Sequence, residues 1–436
     1  MTGPARQRLA LWSAFLLVHL WLSVANAVGN EHPLGDVTLV YKVWMQRGFD
    51  GHYWVGVDGS WVYPIVAVVP MLLAWAFGPD SYAYTWLALV TVLDAVAFGF
   101  LSGWGRSVRN AVAAWWWLGF LVLLGPIALA RIDTVTVPLA IVGVLFVASR
   151  PGTAGAILAV AAWMKVWPGA LLLAVVIATR QRRRILAAAL AASAVIVVTV
   201  VAIGGGANVF SFVGQQAGRG LQIEAPVSTP WLWQAFAGVP QAFAGVPQTF
   251  VYYDRAMLTF QVTGAGVAAV GRLMTPLLLL ATLAIVLAAV LAVRNRAPAT
   301  EVLPALTLAL VTAAIAFNKV GSPQYIAWLA VPVILGLVTS AAARGRSFRV
   351  PAGIVLVLAA LTQVVYPLLY NGLLALHPIP LVVLTVRNLM LFVLLGWAVV
   401  ALCSSGRAGR AGRAGGPHDA RERGRLDRDE QPEREG

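Results

Sequence analysis

The chain has 436 residues, of which 60% are hydrophobic and 11% are charged. Its formal net charge is +14, but the basic residues lie at the ends of apolar segments, which favours contact with anionic lipid and argues against nucleic acid as a partner. The single cysteine, Cys403, excludes an intramolecular disulfide and gives no sign of a thiol-based site.

Runs of about 20 apolar residues recur along the chain, the length that crosses a hydrocarbon layer of ~30 Å. The sequence therefore predicts an all-α polytopic membrane protein with about twelve transmembrane helices and short interfacial helices in its outer loops. The first span could instead be a secretory signal, but we interpret it as a retained helix. The predicted spans are 8–28, 61–78, 82–102, 111–129, 134–149, 153–179, 185–203, 272–293, 301–317, 323–340, 350–370 and 381–402.

An even number of crossings places both termini on one side of the membrane. Most clusters of arginine fall on that side, so the positive-inside rule predicts cytoplasmic termini in a multi-pass protein of the plasma membrane. Three arginines, Arg106, Arg109 and Arg150, disagree, so either their short connections are exceptions to the rule or a segment within 61–179 crosses only halfway. The clusters that agree are Arg6 and Arg8, Arg180 to Arg184, Arg294 and Arg296, and Arg344, Arg346 and Arg349.

The composition divides the chain into a transmembrane domain, 1–403, and a tail, 404–436. The tail is rich in Gly, Ala, Arg and acids and lacks apolar content, so we predict a disordered cytoplasmic segment. Two outer loops, 29–60 and 204–271, are long enough to build a site. The second contains the heptapeptide QAFAGVP twice in tandem, over 234–247, which we interpret as a local expansion in a tolerant loop.

The first outer loop concentrates acidic side chains at one membrane face. Burying such groups in an apolar protein costs free energy unless water solvates them or they take part in binding or catalysis. This loop is therefore where we expect a functional site. Asp36 follows Gly35 at the predicted start of a short helix, where it could cap the helix, act chemically, or do both. The acids and histidines of this loop are Glu31, Asp36, Asp50 and Asp58 with His32 and His52.

Asp50 and Asp58 each precede glycine, a pairing typical of turns, which gives them a structural alternative. His32 and His52 show no metal-ligand spacing. We therefore expect no cofactor, and a divalent metal has no support in the sequence.

Lys165 lies near the middle of the predicted span 153–179, three residues before Pro168, which should interrupt the helix at that depth. A buried ammonium needs a partner, either Asp94 in an ion pair or an anionic group of a substrate. Arg131 and Asp133 are expected to pair with each other at a span end.

The segment 318–325, NKVGSPQY, lies on the predicted outer side between two spans. Its Lys319 could hold a phosphate or could extend to lipid headgroups. His377 and Arg387 near the last span are weaker candidates of the same kind.

Three short motifs resemble family 87 of the GT-C glycosyltransferases, the polyprenyl-phosphate-mannose-dependent mannosyltransferases. They are Gly35-Asp36 with Tyr41 after the first span, Tyr63-Pro64 at the second span, and Lys165 with Pro168 before a basic run. This chain departs from the family in having Ile65 after Pro64, Gln324 where a histidine often precedes the tyrosine, and Ala130-Arg131-Ile132-Asp133 in place of a Gly-Gln-x-Asn segment.

The resemblance implies a GT-C-like fold and transfer of a hexose, with mannose expected, from a polyprenyl-phosphate donor to a lipid or glycan acceptor at the outer membrane face, with inversion. Asp36 matches the catalytic position and would be the general base, which requires it ~3 Å from the acceptor hydroxyl. Lys165, Lys319 and Gln324 would bind the donor phosphate. Residues assigned to substrate binding are Tyr41, Tyr63, Asp58 and His52.

A polytopic transporter or flippase of a lipid-linked sugar is the alternative from another class, and an inactive relative that binds such lipids is a third. A closed outer-face cavity containing Asp36 would favour the enzyme. A central path open to both sides would favour transport.

Overall fold

The computed structural model of the protein describes residues 3–29, 32–238, 248–255, 257–342 and 345–414. The structure is 75% helical, and its described part contains nine helices long and apolar enough to cross a membrane. The prediction of a helical, multi-pass membrane protein is therefore confirmed, whereas the predicted count of twelve spans is not.

Seventeen α-helices follow one another along the described chain. The first nine are α1 (Gly3–Val28), α2 (Lys42–Gly51), α3 (Val68–Ala74), α4 (Tyr82–Ser102), α5 (Ala111–Leu124), α6 (Asp133–Phe146), α7 (Pro151–Ala162), α8 (Pro168–Ala178) and α9 (Arg182–Ala202). The others are α10 (Ser211–Ala217), α11 (Thr229–Phe236), α12 (Val267–Arg294), α13 (Ala299–Ala316), α14 (Ala330–Ala341), α15 (Arg349–Gln363), α16 (Tyr370–Leu374) and α17 (Pro378–Ala414).

Several helices begin or end in tighter or wider turns. The turns Ile65–Ala67, Gly125–Leu129, Gly206–Phe210, Pro226–Ser228 and Pro323–Leu329 are 3-10 helical, whereas Asp36–Tyr41 and Val364–Leu368 are π-helical. The turn Asp36–Tyr41 runs directly into α2. Asp36 therefore occupies the first turn of a short helix, as predicted.

Three of the predicted spans are short or broken in the structure. Span 61–78 reduces to Ile65–Ala74 and span 134–149 to α6, whose 14 residues reach only about 21 Å. Span 153–179 becomes two helices, α7 and α8, with Pro168 at the start of the second, which confirms the predicted break. All these segments lie within 61–179, the region where basic residues disagree with the predicted topology.

The core of the bundle lies around α13 and the segment Pro323–Ala341, where 78% of the most apolar stretch is buried in each. In α9 and α12 the corresponding share is 17%, although both helices are strongly apolar. Apolar side chains that face outwards are stable only against lipid, so α9 and α12 form part of the lipid-facing surface.

A small antiparallel hairpin lies in the second outer loop and was not part of the all-α prediction. Its strands are β1 (Phe250–Asp254) and β2 (Thr259–Thr263), with Tyr252 opposite Gln261. The backbone of Leu221 and Ile223 bonds to β2, so the hairpin fixes the segment that precedes it. The aromatic and β-branched composition of the two strands is the local signal for it.

The C-terminal helix α17 extends to Ala414, past the predicted domain end at 403. The remainder of the predicted tail, 415–436, lies outside the described residues. Most of the tandem heptapeptide does too, since residues 239–247 are not described.

Candidate functional site

A cavity of about 310 Å³ lies where the loops at one end of the bundle meet. Its wall combines carboxylates, cations and aromatic rings from segments far apart in the sequence. The polar and aromatic side chains of this wall include Asp36, Tyr41, Tyr63, Arg131, Lys165, Arg219, Gln222, Glu224, Gln324, Tyr366 and Tyr370.

Asp36 forms an ion pair with Arg131, whose Nε lies 3.0 Å from the Asp36 Oδ2. The Asp36 side chain is 37% exposed and that of Arg131 is 9% exposed. Asp36 lines the cavity, so its carboxylate is open to a bound molecule on one side and held by the guanidinium on the other. The expected pairing of Arg131 with Asp133 is wrong, because the guanidinium turns towards the first outer loop.

Further hydrogen bonds fix the Arg131 guanidinium. Its Nη1 donates to the carbonyls of Pro33 and Ala130, and its Nη2 donates to the Tyr366 hydroxyl at 3.3 Å. With these donors committed to backbone and tyrosine oxygens, Nε is the group that points to Asp36. Arg131 therefore sets the direction of the Asp36 carboxylate.

Lys165 lies in the break between α7 and α8, and its Nζ is 2.9 Å from Asp133 Oδ2. The same ammonium lies 5.3 Å from the ring centroid of Tyr63 and 5.2 Å from that of Tyr325, a cation–π arrangement. The alternative pairing of Lys165 with Asp94 is wrong, since Asp94 Oδ2 is 3.0 Å from His19 Nε2.

Asp133 is fully buried and satisfied at both oxygens, because Trp328 Nε1 donates to its Oδ1 at 2.6 Å. The Trp328 ring stacks on Trp167, with centroids 5.4 Å apart, and on Tyr325, at 4.2 Å. This stack fixes both Asp133 and the lysine it holds, so the ammonium is presented from a rigid wall.

An apolar groove of about 380 Å³ adjoins the cavity. The two share Val62, Tyr63, Lys165 and Tyr325, so Lys165 stands at the boundary between them. The remainder of the groove is mostly hydrophobic. Side chains on its walls include Trp167, Phe212, Val213, Met274, Leu278, Ala314, Phe317 and Trp328.

Lys319 lies in the same groove, on the loop between α13 and the turn Pro323–Leu329. Burial, together with the nearby positive charge of Arg219, lowers the pKa of the Lys319 amine. Arg219 lines the cavity, and its Nε is buried without a hydrogen-bond partner in the described structure. The Lys319 ammonium and the Arg219 guanidinium repel each other, and an anion bound beside both would relieve this repulsion.

The structure brings most of the predicted site residues together. Asp36, Tyr41, Tyr63, Lys165 and Gln324 line the cavity, and Lys319 lines the groove that joins it. The Tyr41 hydroxyl also accepts a hydrogen bond of 3.2 Å from the Ile132 backbone, which ties the first outer loop to the start of α6.

Two predicted residues lie elsewhere. Asp58 Oδ2 accepts a hydrogen bond of 2.6 Å from the Trp54 backbone, the turn role that its following glycine indicated. His52 is exposed at the end of α2, with a φ of 52°. Neither side chain lines the cavity, so the structure does not bring them to the substrate position assigned from the sequence.

Sequence reasoning missed several side chains of the cavity, including Arg219, Glu224, Tyr366 and Tyr370. Glu224 carried a usable signal, because it is a carboxylate in the second outer loop. The two tyrosines lie near the end of the predicted span 350–370 and had no local signal.

In the part of the chain that the structure describes, no group of three or more His, Cys, Asp or Glu side chains is placed to hold a metal ion. A scan against models of protein families, a search of curated proteins and a search of solved structures each returned no match to this chain.

Proposed function

We propose that this protein is a membrane glycosyltransferase that moves a hexose, with mannose expected, from a polyprenyl-phosphate donor to a lipid or glycan acceptor. The supporting observation is the junction at Lys165, where a polar cavity holding the Asp36 carboxylate meets an apolar groove. A lipid-linked sugar has the same division into polar and apolar parts. The groove would take prenyl units, the cavity would take the sugar, and the phosphate would lie between them.

The donor phosphate would bind at the cations of this junction. One N–H of the Lys165 ammonium is used by Asp133, which leaves its other donors for phosphate oxygens. Lys319 and Arg219 would approach from the groove and the cavity. Gln324, buried in the cavity wall, supplies an amide donor but no charge. The cations therefore neutralise the negative charge of the phosphate.

The transfer step follows from this placement. Asp36 accepts the proton of the acceptor hydroxyl while the hydroxyl oxygen bonds to the anomeric carbon. The bond from that carbon to the phosphate oxygen breaks, and the oxygen leaves with the electron pair. Lys165 and Lys319 stabilise the charge that develops on the phosphate, and attack from the opposite face inverts the anomeric carbon.

The ends of the long helices support an outer-face position for the cavity. Helix α9 begins at the basic run Arg182 to Arg184 and ends at Ala202, and α12 returns from Val267 to Arg294. The loop between α9 and α12 contributes to the cavity, so the cavity lies opposite these basic ends. By the positive-inside rule the basic ends are cytoplasmic, as are both termini of a plasma-membrane protein with this topology.

A GT-C-like arrangement with about twelve crossings is part of the proposal. The nine long helices would be completed by the short helices within 65–178. Single cysteines introduced into a Cys403→Ser background test the sidedness, since Cys403 is the only native thiol. Cysteines near Tyr253 should react with a membrane-impermeant maleimide from outside, and cysteines near Arg182 should not.

The function is tested with purified protein in liposomes that contain labelled polyprenyl-phosphate mannose and a lipid extract as the acceptor source. The proposal expects time-dependent movement of label to a new glycolipid with inverted anomeric configuration. Donor binding without transfer by the intact protein, or movement of the donor between leaflets without a product, would contradict the enzyme and favour a binding protein or a flippase.

A further inference from the structure

Apart from Arg219, which is proposed to bind the donor phosphate, one wall of the cavity has no role in the proposed reaction. It is built from the segment 219–225, the hairpin β1–β2 and the turn before α16, and it includes Glu224. Glu224 is 2% exposed, and its Oε2 has no hydrogen-bond partner among the described residues. The residue lines the cavity, and a buried carboxyl oxygen without a partner is costly unless a ligand bonds to it.

The backbone around Glu224 is held firmly. Arg387 donates a hydrogen bond to the Glu224 carbonyl, and the Gln222 backbone N–H donates to the Lys319 carbonyl at 3.0 Å. A Cβ at Gly321 would lie only 2.2 Å from the Ala225 nitrogen, so the two loops meet in a contact that only glycine permits. The backbone that carries Glu224 is therefore a fixed feature of the wall.

The surroundings of Glu224 combine a carboxyl with an amide and aromatic rings. Gln222 accepts hydrogen bonds of 3.2 Å at its Oε1 from Gly321 and Ser322, which directs its amide group. Burial raises the pKa of the Glu224 carboxyl, although Tyr370 beside it acts in the opposite direction. The rings that line this wall are Tyr253, Phe260, Tyr366 and Tyr370.

This chemistry fits a sugar better than a lipid alcohol or a peptide hydroxyl. Carboxyl and amide groups bond to several hydroxyls at once, and aromatic rings pack against the apolar faces of a sugar ring. A single hydroxyl on an alkyl chain would leave most of these groups without a partner. Resting on the proposed function, we propose that Glu224 binds hydroxyl groups of a sugar unit in the acceptor, so that the acceptor is a glycoside.

The test measures glycoside binding separately from transfer. Protein in lipid nanodiscs is titrated calorimetrically with octyl α-mannoside and, as a matched probe without the sugar, with octanol. Glu224→Gln should weaken octyl mannoside binding by roughly tenfold or more, since the anchor for its hydroxyls is changed. Octanol binding should not respond. Glu301→Gln, at the start of α13, is the matched control and should behave as the unaltered protein.

Tyr370→Phe provides a second variant in case Glu224→Gln does not fold, and it should weaken glycoside binding by roughly threefold or more. Equal affinity in the folded variants and the unaltered protein would overturn the inference. So would an unaltered protein that transfers sugar but binds no octyl mannoside, an outcome that leaves the proposed function standing. Glutamate-dependent glycoside binding in a protein that neither binds nor uses the donor would support the glycoside site and contradict the proposed function.

Discussion

The Asp36 carboxylate and the Arg131 guanidinium lie 3.0 Å apart, and they join the first outer loop to the turn before α6. The arginine is nearly buried and also donates to the Pro33 and Ala130 carbonyls. The aspartate is more exposed and lines the cavity. The pair is thus asymmetric: the cation is the fixed member, and it orients an anion that a bound molecule can reach.

Arg131→Lys should damage catalysis more than donor binding. Lysine keeps the charge but lacks the planar set of donors that reaches Asp36, two carbonyls and Tyr366. We expect kcat to fall by about tenfold or more with little change in KM for the donor. The free energy of unfolding should fall by about 1–3 kcal/mol, measured by thermal or denaturant unfolding in detergent. Arg272→Lys, at an exposed site, is the control. An unchanged kcat would show that Arg131 does not position the carboxylate.

The Lys165 and Asp133 pair should show strong coupling in a double-mutant cycle. Asp133→Leu leaves a buried ammonium and Lys165→Met leaves a buried carboxylate, so each single change should cost about 3–5 kcal/mol of stability. The double variant should be less destabilised than the sum of the two, because no charge is then left alone. The double variant should still lack transfer activity, since Lys165, which binds the donor phosphate in the proposed mechanism, is absent. Additive losses of stability would contradict the pairing.

Lys319 should make donor use depend on pH. Burial and the charge of Arg219 lower its pKa, so the ammonium loses its proton at a lower pH than an exposed lysine does. Positive charge is present at low pH and is lost as pH rises through this lowered pKa. The value of kcat/KM for the donor should therefore fall on the alkaline side.

Lys319→Arg separates this effect from other titrations. A guanidinium stays charged over the whole range, so the alkaline fall in kcat/KM should move to higher pH. The measurement is a pH profile of donor kcat/KM for both proteins. An identical alkaline limb in the arginine variant would assign the titration to another group.

The sequence indicated Asp36, Lys165 and Lys319 as candidate site residues because each is a charged residue in an apolar context, and the structure places all three in the walls of the cavity or the groove. The sequence did not predict their partners: Arg131 pairs with Asp36 and Asp133 with Lys165, whereas neighbours in sequence suggested Arg131 with Asp133. Helix geometry around residue 131 turns these two side chains in different directions, and that is not readable from spacing. The hairpin and Glu224 were missed because the prediction relied on apolar periodicity, which does not describe an irregular outer loop. The composition of the two strands and the carboxylate of Glu224 were local signals that this criterion does not use.

The buried His19 and Asp94 pair should be structural and without effect on transfer. His19 Nε2 lies 3.0 Å from Asp94 Oδ2, and its Nδ1 lies 3.0 Å from the Phe15 carbonyl, so the ring ties α1 to α4. His19→Phe should lower the free energy of unfolding by about 1–3 kcal/mol because Asp94 loses its partner. Transfer by the folded fraction should not change. A selective loss of kcat in a fully folded variant would contradict this assignment.

The most direct test of the account is transfer by Asp36→Asn, measured with saturating labelled polyprenyl-phosphate mannose and a glycolipid acceptor. Asparagine keeps the shape of the side chain but is a poor proton acceptor, so the rate should fall by about 10²–10⁴-fold while donor affinity is kept. Asp80→Asn, at an exposed position outside the cavity, should retain full activity. Transfer at the unaltered rate by folded Asp36→Asn would contradict the central claim that Asp36 is the general base.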